Sequence, residues 1–364
     1  MNRQHCYCVI MAGGTGVRFW PVSRAAKPKQ FLDVVDTGKT FIQSTYERFL
    51  KVVPKENILI VTGDRYRDIV MEQLPDLESR NLLLEPYARN TAPCIAYATY
   101  TLLQRDPQAR VVVTPSDHMI DNEELFVETI CNAFDYIEEK DMLMTLGVLP
   151  TRPDTNYGYV QAYGGSDVYK NDKPMQVKTF TEKPDKELAK VFISTGEFFW
   201  NAGIFVWKAE AIRKEMEKYL PEVTGLFNGW ENVLGTAIEK EFIERAYTDC
   251  RNISIDYGVM EKATNVHVMP SDFGWSDLGT WGSLYELSEK DENSNVTLHC
   301  DATYYDSHGN IVTLPEGHLA VVQGLEDCIV AESEGVLLIC KKDAEQQIRQ
   351  FFMDAEMKHG GKFS

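Results

Sequence analysis

The stretch Cys6-Tyr7-Cys8-Val9-Ile10-Met11-Ala12-Gly13-Gly14-Thr15-Gly16-Val17-Arg18-Phe19-Trp20-Pro21 decides how the rest of the chain is read. Its first six residues form a short apolar run ahead of glycine, which predicts a buried strand. The strand ends in a glycine-rich loop, where backbone N–H groups can approach an anion with no Cβ in the way. Arg18, Arg24, Lys27 and Lys29 follow, and no acidic residue appears before Asp33. In a chain of formal net charge -18 this stretch is locally cationic, and local charge decides what a cleft attracts. The reading is a polyphosphate pocket, with Ala12, Gly13, Gly14, Thr15 and Gly16 as its backbone and Arg18 and Lys29 as its cations.

Two other glycine loops fail on their own terms. A P-loop needs G-x-x-x-x-G-K-[ST], and Gly13 is followed five residues later by Arg18 without that ending. A dinucleotide loop opens a regular helix, and Pro21 and Pro28 interrupt any helix here.

Working outward, helical spacing at 40–52, 64–74, 91–105 and 121–139 alternates with apolar runs at 57–61, 82–84, 111–113 and 142–146. This alternation predicts an α/β fold with βαβ units and a mostly parallel sheet, whose ligand sits beyond the carboxyl ends of the strands. Residues 157–163, 175–181 and 198–207 read as more closely spaced strands of a second lobe, 208–262 as helix and 266–269 as a strand. A polar stretch at 289–295 suggests a boundary, giving one domain over 1–290, with a first part about 1–150 and a second about 151–290, and a C-terminal domain over 291–364. Short apolar strands at 311–314, 319–322, 328–331 and 336–340 suggest a β-solenoid fragment without a clean repeat. Asp343 is read as the cap of a closing helix to about 357, with Gly360 and Gly361 beyond it.

Hydrophobic content of 44% and charged content of 25% fit a globular domain with an ordinary core. The acidic balance argues against a nucleic-acid partner, which demands a broad basic face. No apolar run reaches membrane-spanning length, so no membrane association is expected. The eight cysteines show no C-x-x-C and sit mostly in apolar runs, so a reducing cytoplasm is expected.

Asp117 closes the run Val111-Val112-Val113-Thr114-Pro115-Ser116-Asp117-His118. An Asp just past a buried strand suits either a turn cap or a carboxylate for a hard cation. Asn90 and Asp256 each suit a helix cap or a hydrogen bond to a ligand. Gly158 lets a backbone approach a ligand closely, and Asn201 on a strand can both donate and accept hydrogen bonds.

The segment from Gly13 to Arg24, with Lys27-Pro28-Lys29-Gln30-Phe31, closely resembles the signature of the sugar-nucleotide pyrophosphorylase family. Within it the chain is similar to the branch acting on GTP and mannose 1-phosphate. The resemblance implies a Rossmann-like mixed-sheet nucleotide-diphospho-sugar transferase fold with a small C-terminal truncated left-handed β-helix that pairs subunits, hence a homodimer. It implies transfer of GMP from GTP to α-D-mannose 1-phosphate, releasing pyrophosphate and GDP-mannose, with Mg²⁺ on Asp117 and Asp277. It makes 1–290 the catalytic domain, with the nucleotide part about 1–150 and the sugar lobe about 151–290. It places Arg18 and Lys29 at the triphosphate, Arg89 and Asn90 near the base, and Gly158, Glu182, Lys183, Asn201 and Asp256 at the sugar phosphate, with Lys183 also catalytic. The alternatives are a relative using another nucleotide or a heptose, glucose or fucose phosphate, or a silent GDP-mannose-binding regulatory paralogue.

Overall fold

The computed structural model describes residues 3–14, 16–164 and 173–360. The chain divides into two compact units. The first comprises Met1–Gly13, Thr45–Ser116 and Ile120–Trp275; the second comprises Gly14–Ser44, Asp117–Met119 and Ser276–Ser364.

The first unit is built on a nine-stranded sheet. Its strands are β1 (Cys6–Met11), β2 (Ile58–Gly63), β3 (Leu82–Glu85), β4 (Arg110–Pro115) and β5 (Leu143–Val148). The set continues with β6 (Tyr159–Ala162), β7 (Met175–Thr181), β8 (Phe198–Lys208) and β9 (Val266–Ser271). Their order across the sheet is β3-β2-β1-β4-β8-β5-β9-β7-β6. The first four run parallel, with Cys8 opposite Ile58, Cys6 opposite Arg110 and Ile60 opposite Leu82. Their carboxyl ends therefore share one rim, where Gly13, Glu85 and Ser116 follow or close the strands.

The expectation of a mostly parallel sheet is corrected beyond β4. Strand β8 inserts antiparallel to both β4 and β5, and β6 and β7 also pair antiparallel. An apolar run is buried equally well in either direction, so its composition carries no sign of polarity. Gly147 sits where the register of β5 shifts, and a Cβ there would lie 2.4 Å from Val268 Cγ2. A bulge with close backbone approach needs that glycine.

Both sheet faces are covered. Helix Thr91–Arg105 buries nearly its whole length, and Trp207, Tyr100 and Phe199 anchor the core. Each fully buried large side chain contributes roughly 1.5–3 kcal/mol. The helical stretch read at 208–262 is broken into Ala209–Tyr219, Pro221–Thr224, Glu239–Asp249 and a π-turn over Asp256–Met260.

The second unit packs Phe19, Trp20, Phe41, Leu278, Trp281 and Ile348 into its own core. Strands β10 (Val296–Leu298), β12 (Ile311–Thr313) and β14 (Cys328–Ser333) pair in parallel, while β11 (Asp301–Tyr305) pairs in parallel with β13 (Leu319–Gln323). Each strand thus pairs with the next but one. Strand β15 (Val336–Lys341) returns antiparallel to β14. At one corner the buried Asn310 donates to Asn295 Oδ1 at 3.0 Å and accepts from the Cys328 N–H at 2.9 Å. This asparagine ladder satisfies backbone groups that a buried corner would leave unpaired.

Asp343 does not cap the final helix. It lies inside a 3₁₀ turn over Lys342–Gln347, and the α-helix runs Ile348–His359 with Gln347 as its N-cap. Gly360 follows at φ +67°, and Gly361 lies outside the described residues. Among the described residues no helix is long and apolar enough to cross a membrane.

Candidate functional site

Within the second unit, Gly16, Arg18, Lys29, Asp117, His118 and Asp277 line one cavity of about 450 Å³. Gly16 has φ +60°, and a Cβ on it would lie 2.4 Å from Ser23 Oγ and 2.8 Å from the Lys29 backbone nitrogen. Only glycine fits both that dihedral and that approach. Lys29 is buried beneath the bend. Its ammonium donates to the Asp117 carbonyl at 3.0 Å and the Asp277 carbonyl at 2.7 Å, and lies 3.2 Å from the Asp117 carboxylate. It also sits 5.0 Å from the centre of the Phe41 ring. One cation therefore ties together the strand exit, the signature loop and the Asp277 turn.

Burial works to raise the Asp117 carboxyl, but the charges of Lys29 and His118 and the Lys29 hydrogen bond outweigh it and hold the carboxyl below its usual value. Asp277 accepts the Gly279 N–H at 3.1 Å, and Leu278 between them has φ +43°. Among the described residues no group of three or more His, Cys, Asp or Glu side chains could enclose a metal. Two aspartates on one cavity leave further positions for phosphate oxygens and water, the arrangement Mg²⁺ favours.

The other loop residues divide. Ala12 spends its N–H on the Val61 carbonyl at 2.8 Å, and its carbonyl accepts from Thr62 Oγ1 at 2.7 Å, so it serves the sheet. A Cβ on Gly13 would lie 3.3 Å from Glu85 Oε2. Gly14 is exposed, and its carbonyl accepts from Gln30 Nε2 at 2.8 Å. Thr15 lies outside the described residues. Arg18 is exposed on the cavity wall. Arg24 is buried and donates to the Pro21 and Ser333 carbonyls at 3.1 and 2.6 Å, which makes it an anchor for the loop.

In the first unit the predicted sugar residues come together. Asn201 Nδ2 donates to Asp256 Oδ1 at 2.9 Å, and the Asn201 N–H donates to the Gly158 carbonyl at 2.8 Å. Asn201 Oδ1 accepts from Thr145 Oγ1 at 2.7 Å and the Gly203 N–H at 3.2 Å, which fixes the amide with its NH₂ toward Asp256. Thr145 is fully buried and sequence reasoning missed it; a threonine inside an apolar strand gives no separate signal. A Cβ on Gly158 would lie 2.3 Å from Glu182 Oε2. Lys183 ion-pairs with Glu182 at 2.9 Å through a backbone at φ +49°, an unfavourable conformation costing of order 1–3 kcal/mol.

Burial, then the neighbouring Glu182 charge, pushes the Asp256 carboxyl up to about 7, against the Asn201 bond and the Lys183 charge. For Lys183 burial works downward, but the hydrogen bond and charge of Glu182 prevail and raise its ammonium above the usual value. Asp256 begins the π-turn without acting as a side-chain cap. A Cβ on Gly258 would lie 2.6 Å from Leu220 Cδ1, so its small size answers to packing.

Arg89 and Asn90 each make structural hydrogen bonds. Arg89 donates to the Tyr247 and Thr248 carbonyls at 2.9 and 3.1 Å. Asn90 caps helix Thr91–Arg105, accepting from the Thr91 N–H at 2.9 Å, with φ +68°. Glu85, which sequence reasoning left without a role, accepts from the Tyr247 hydroxyl at 3.0 Å; burial pushes its carboxyl up to about 7 against that bond.

Residues 7–294 match the profile of the family described as Nucleotidyl transferase. The chain is similar to mannose-1-phosphate guanylyltransferase of Escherichia coli (strain K12), 34% identical over 359 residues that cover 96% of this chain and 73% of that one. It is 34% identical to the alginate biosynthesis protein AlgA of Pseudomonas aeruginosa over 358 residues, covering 96% of this chain and 72% of that one. A solved structure from Thermus thermophilus, described as mannose-1-phosphate geranyltransferase, aligns with a TM-score of 0.86 at 30% identity, covering 97% of this chain and 99% of that one.

Proposed function

The chain belongs to the nucleotidyl transferase family, and from that premise we propose that it transfers GMP from GTP to α-D-mannose 1-phosphate, forming GDP-mannose and pyrophosphate. The observation that carries the phosphate half is the placing of Arg18, Lys29, Asp117 and Asp277 on one cavity. The sugar half rests on the convergence of Gly158, Glu182, Lys183, Asn201 and Asp256.

A sugar phosphate oxygen is ionised near neutral pH and attacks the α-phosphorus without a general base. The bond from α-phosphorus to the bridging oxygen breaks, and its electron pair leaves with pyrophosphate. Catalysis is then alignment and charge neutralisation by Arg18, Lys29 and Lys183. Asp117 and Asp277 are the residues that would hold a divalent ion, proposed as Mg²⁺, and Asp117 is kept ionised for it by Lys29. When bound, that ion supplies further neutralisation of phosphate charge. Glu182, Asn201 and Asp256 offer acceptors and a donor to hexose hydroxyls, and Lys183 a cation to the sugar phosphate. Gly13, Gly14, Thr15 and Gly16 are proposed at the nucleotide. For Ala12, Arg89 and Asn90 a nucleotide role would add to the bonds they already make.

In the same reading 1–290 carries the catalysis, and 291–364 is a truncated left-handed β-helix, supported by the next-but-one parallel pairing and the Asn295–Asn310 ladder. Exposed Leu319, Val321, Leu337 and Ile339 support homodimer formation through it in a cytoplasmic enzyme. A panel of four nucleoside triphosphates against mannose, glucose, fucose and heptose 1-phosphates, read by pyrophosphate release, tests the reaction. Highest kcat/KM for GTP with mannose 1-phosphate is expected, and preference for any other pair overturns the assignment.

A further inference from the structure

The phosphate cavity has a wall that comes from the far end of the chain. Arg349, the second residue of helix Ile348–His359, lines it together with Arg18 and Lys29. The helix is fixed within the second unit beside the signature loop. Ile348 is fully buried in the shared core, and Phe352 meets Trp20 edge-on at 6.3 Å between ring centres. Just ahead of the helix, Glu345 Oε2 accepts the Gly282 N–H at 2.8 Å.

The disposition of the other cations gives Arg349 its meaning. Lys29 is committed to the Asp117 carboxylate and two carbonyls, and Arg24 is turned away to Ser333 and Glu334. Among the described residues, Arg18 and Arg349 have no hydrogen-bond or ion-pair partner. Counting its Arg, Lys and Asp side chains, the cavity sets Arg18, Lys29 and Arg349 against Asp117 and Asp277, one positive charge in excess; without Arg349 that excess disappears. A pocket for a triphosphate gains from a second guanidinium, whose fork of donors matches phosphate oxygens.

We propose that Arg349 is a catalytic residue that binds the β- and γ-phosphates of the nucleotide together with Arg18 and neutralises the departing pyrophosphate; this rests on the reaction proposed above. Arg349 exchanges no proton. Its donors receive the negative charge that accumulates on pyrophosphate as the bridging oxygen leaves the α-phosphorus.

The test uses full-length Arg349→Ala and Arg349→Lys. Initial rates are measured with GTP and mannose 1-phosphate varied in turn, and in reverse with pyrophosphate varied. Calorimetric titration with inorganic triphosphate and Mg²⁺ runs alongside. Arg349→Ala should lower kcat/KM for GTP and for pyrophosphate by roughly 10- to 100-fold, the scale of one hydrogen bond to a charged group. KM for mannose 1-phosphate should stay within about twofold, since no sugar contact is lost. Arg349→Lys should recover part of the loss, and the melting temperature should hold because the side chain is exposed. Unchanged GTP and pyrophosphate constants, or a KM for mannose 1-phosphate that rises as much as the KM for GTP, overturn the proposal. If the wild type releases no pyrophosphate from any pair, the reaction falls, and the calorimetric difference between wild type and Arg349→Ala decides the arginine by itself.

Discussion

Lys29 grips Asp117 at two points, donating to its backbone carbonyl at 3.0 Å and lying 3.2 Å from its carboxylate. Lys29→Met removes both contacts and leaves the Asp277 carbonyl without its donor. Losing a hydrogen bond to a charged group costs about 1.5–3 kcal/mol, and urea unfolding at pH 7 should show a loss of that order. The pH dependence has a definite sign. The Asp117 carboxyl is depressed in the folded state, so its contribution is complete above the unfolded value near ~4 and lost as pH falls through the folded value. The stability gap between wild type and variant should therefore hold from pH 5 to 8 and narrow under stronger acid. A constant gap would show that the carboxylate contact contributes nothing.

Asp277→Asn separates charge from architecture. Asparagine keeps an oxygen for the Gly279 N–H, now accepted at 3.1 Å, so the turn should survive. Turnover should fall roughly 100-fold or more, the scale of removing one electrostatic group from a transition state, and Asp117→Asn should behave alike. The readout is pyrophosphate release across a Mg²⁺ titration, with circular dichroism confirming the fold. Near-normal turnover at saturating Mg²⁺ would remove both aspartates from the metal site.

What the sequence revealed and concealed follows from which signals are local. β1 through β5 were legible because each is a short apolar run between polar turns. The direction of β8 was not, since Phe198–Lys208 would be equally apolar parallel or antiparallel. β10 and β11 escaped notice because Val296–Leu298 is three residues long and Asp301–Tyr305 alternates with largely exposed polar groups. Among site residues, Arg18, Lys29 and Asp117 were readable as a cationic bend and a carboxylate at a strand exit. Arg349 was not, because only the folded second unit brings its helix to that bend. Asn90 caps a helix and Arg89 binds carbonyls, bonds that their residue types alone do not distinguish from ligand contacts.

Gly158→Ala should act on the sugar and spare the nucleotide. The new Cβ would fall 2.3 Å from Glu182 Oε2, so the carboxylate must swing aside, disturbing its 2.9 Å pair with Lys183. The obstruction is the end of a flexible side chain, so the fold should accommodate it. A loss of at least about tenfold in kcat/KM for mannose 1-phosphate is expected, with KM for GTP within about twofold. Steady-state kinetics with each substrate varied separates the two, and an equal rise in both KM values would point to a global disturbance.

Asp256 sets stability against binding in a way that pH exposes. Burial and the Glu182 charge push its folded carboxyl up to about 7, while the unfolded value lies near ~4. A raised carboxyl value means the folded state binds the proton more tightly, so stability declines as pH rises between those limits, and the full penalty is present above pH ~7. Asp256→Asn removes the penalty while keeping an oxygen for Asn201 Nδ2, now bonded at 2.9 Å. The variant should be more stable than wild type at pH 8, by about 1 kcal/mol or more, and the gain should vanish near pH 4. Its KM for mannose 1-phosphate should rise roughly tenfold, because an amide oxygen is a weaker acceptor for hydroxyls than a carboxylate. In the wild type the same KM should improve as pH rises through about 7 and the carboxylate forms. Thermal unfolding across pH and the pH profile of KM test the two halves separately. A variant that is less stable at pH 8 would show that Lys183 and Asn201 more than compensate the buried charge, and a flat KM profile would show that the ionised form is not what the sugar meets.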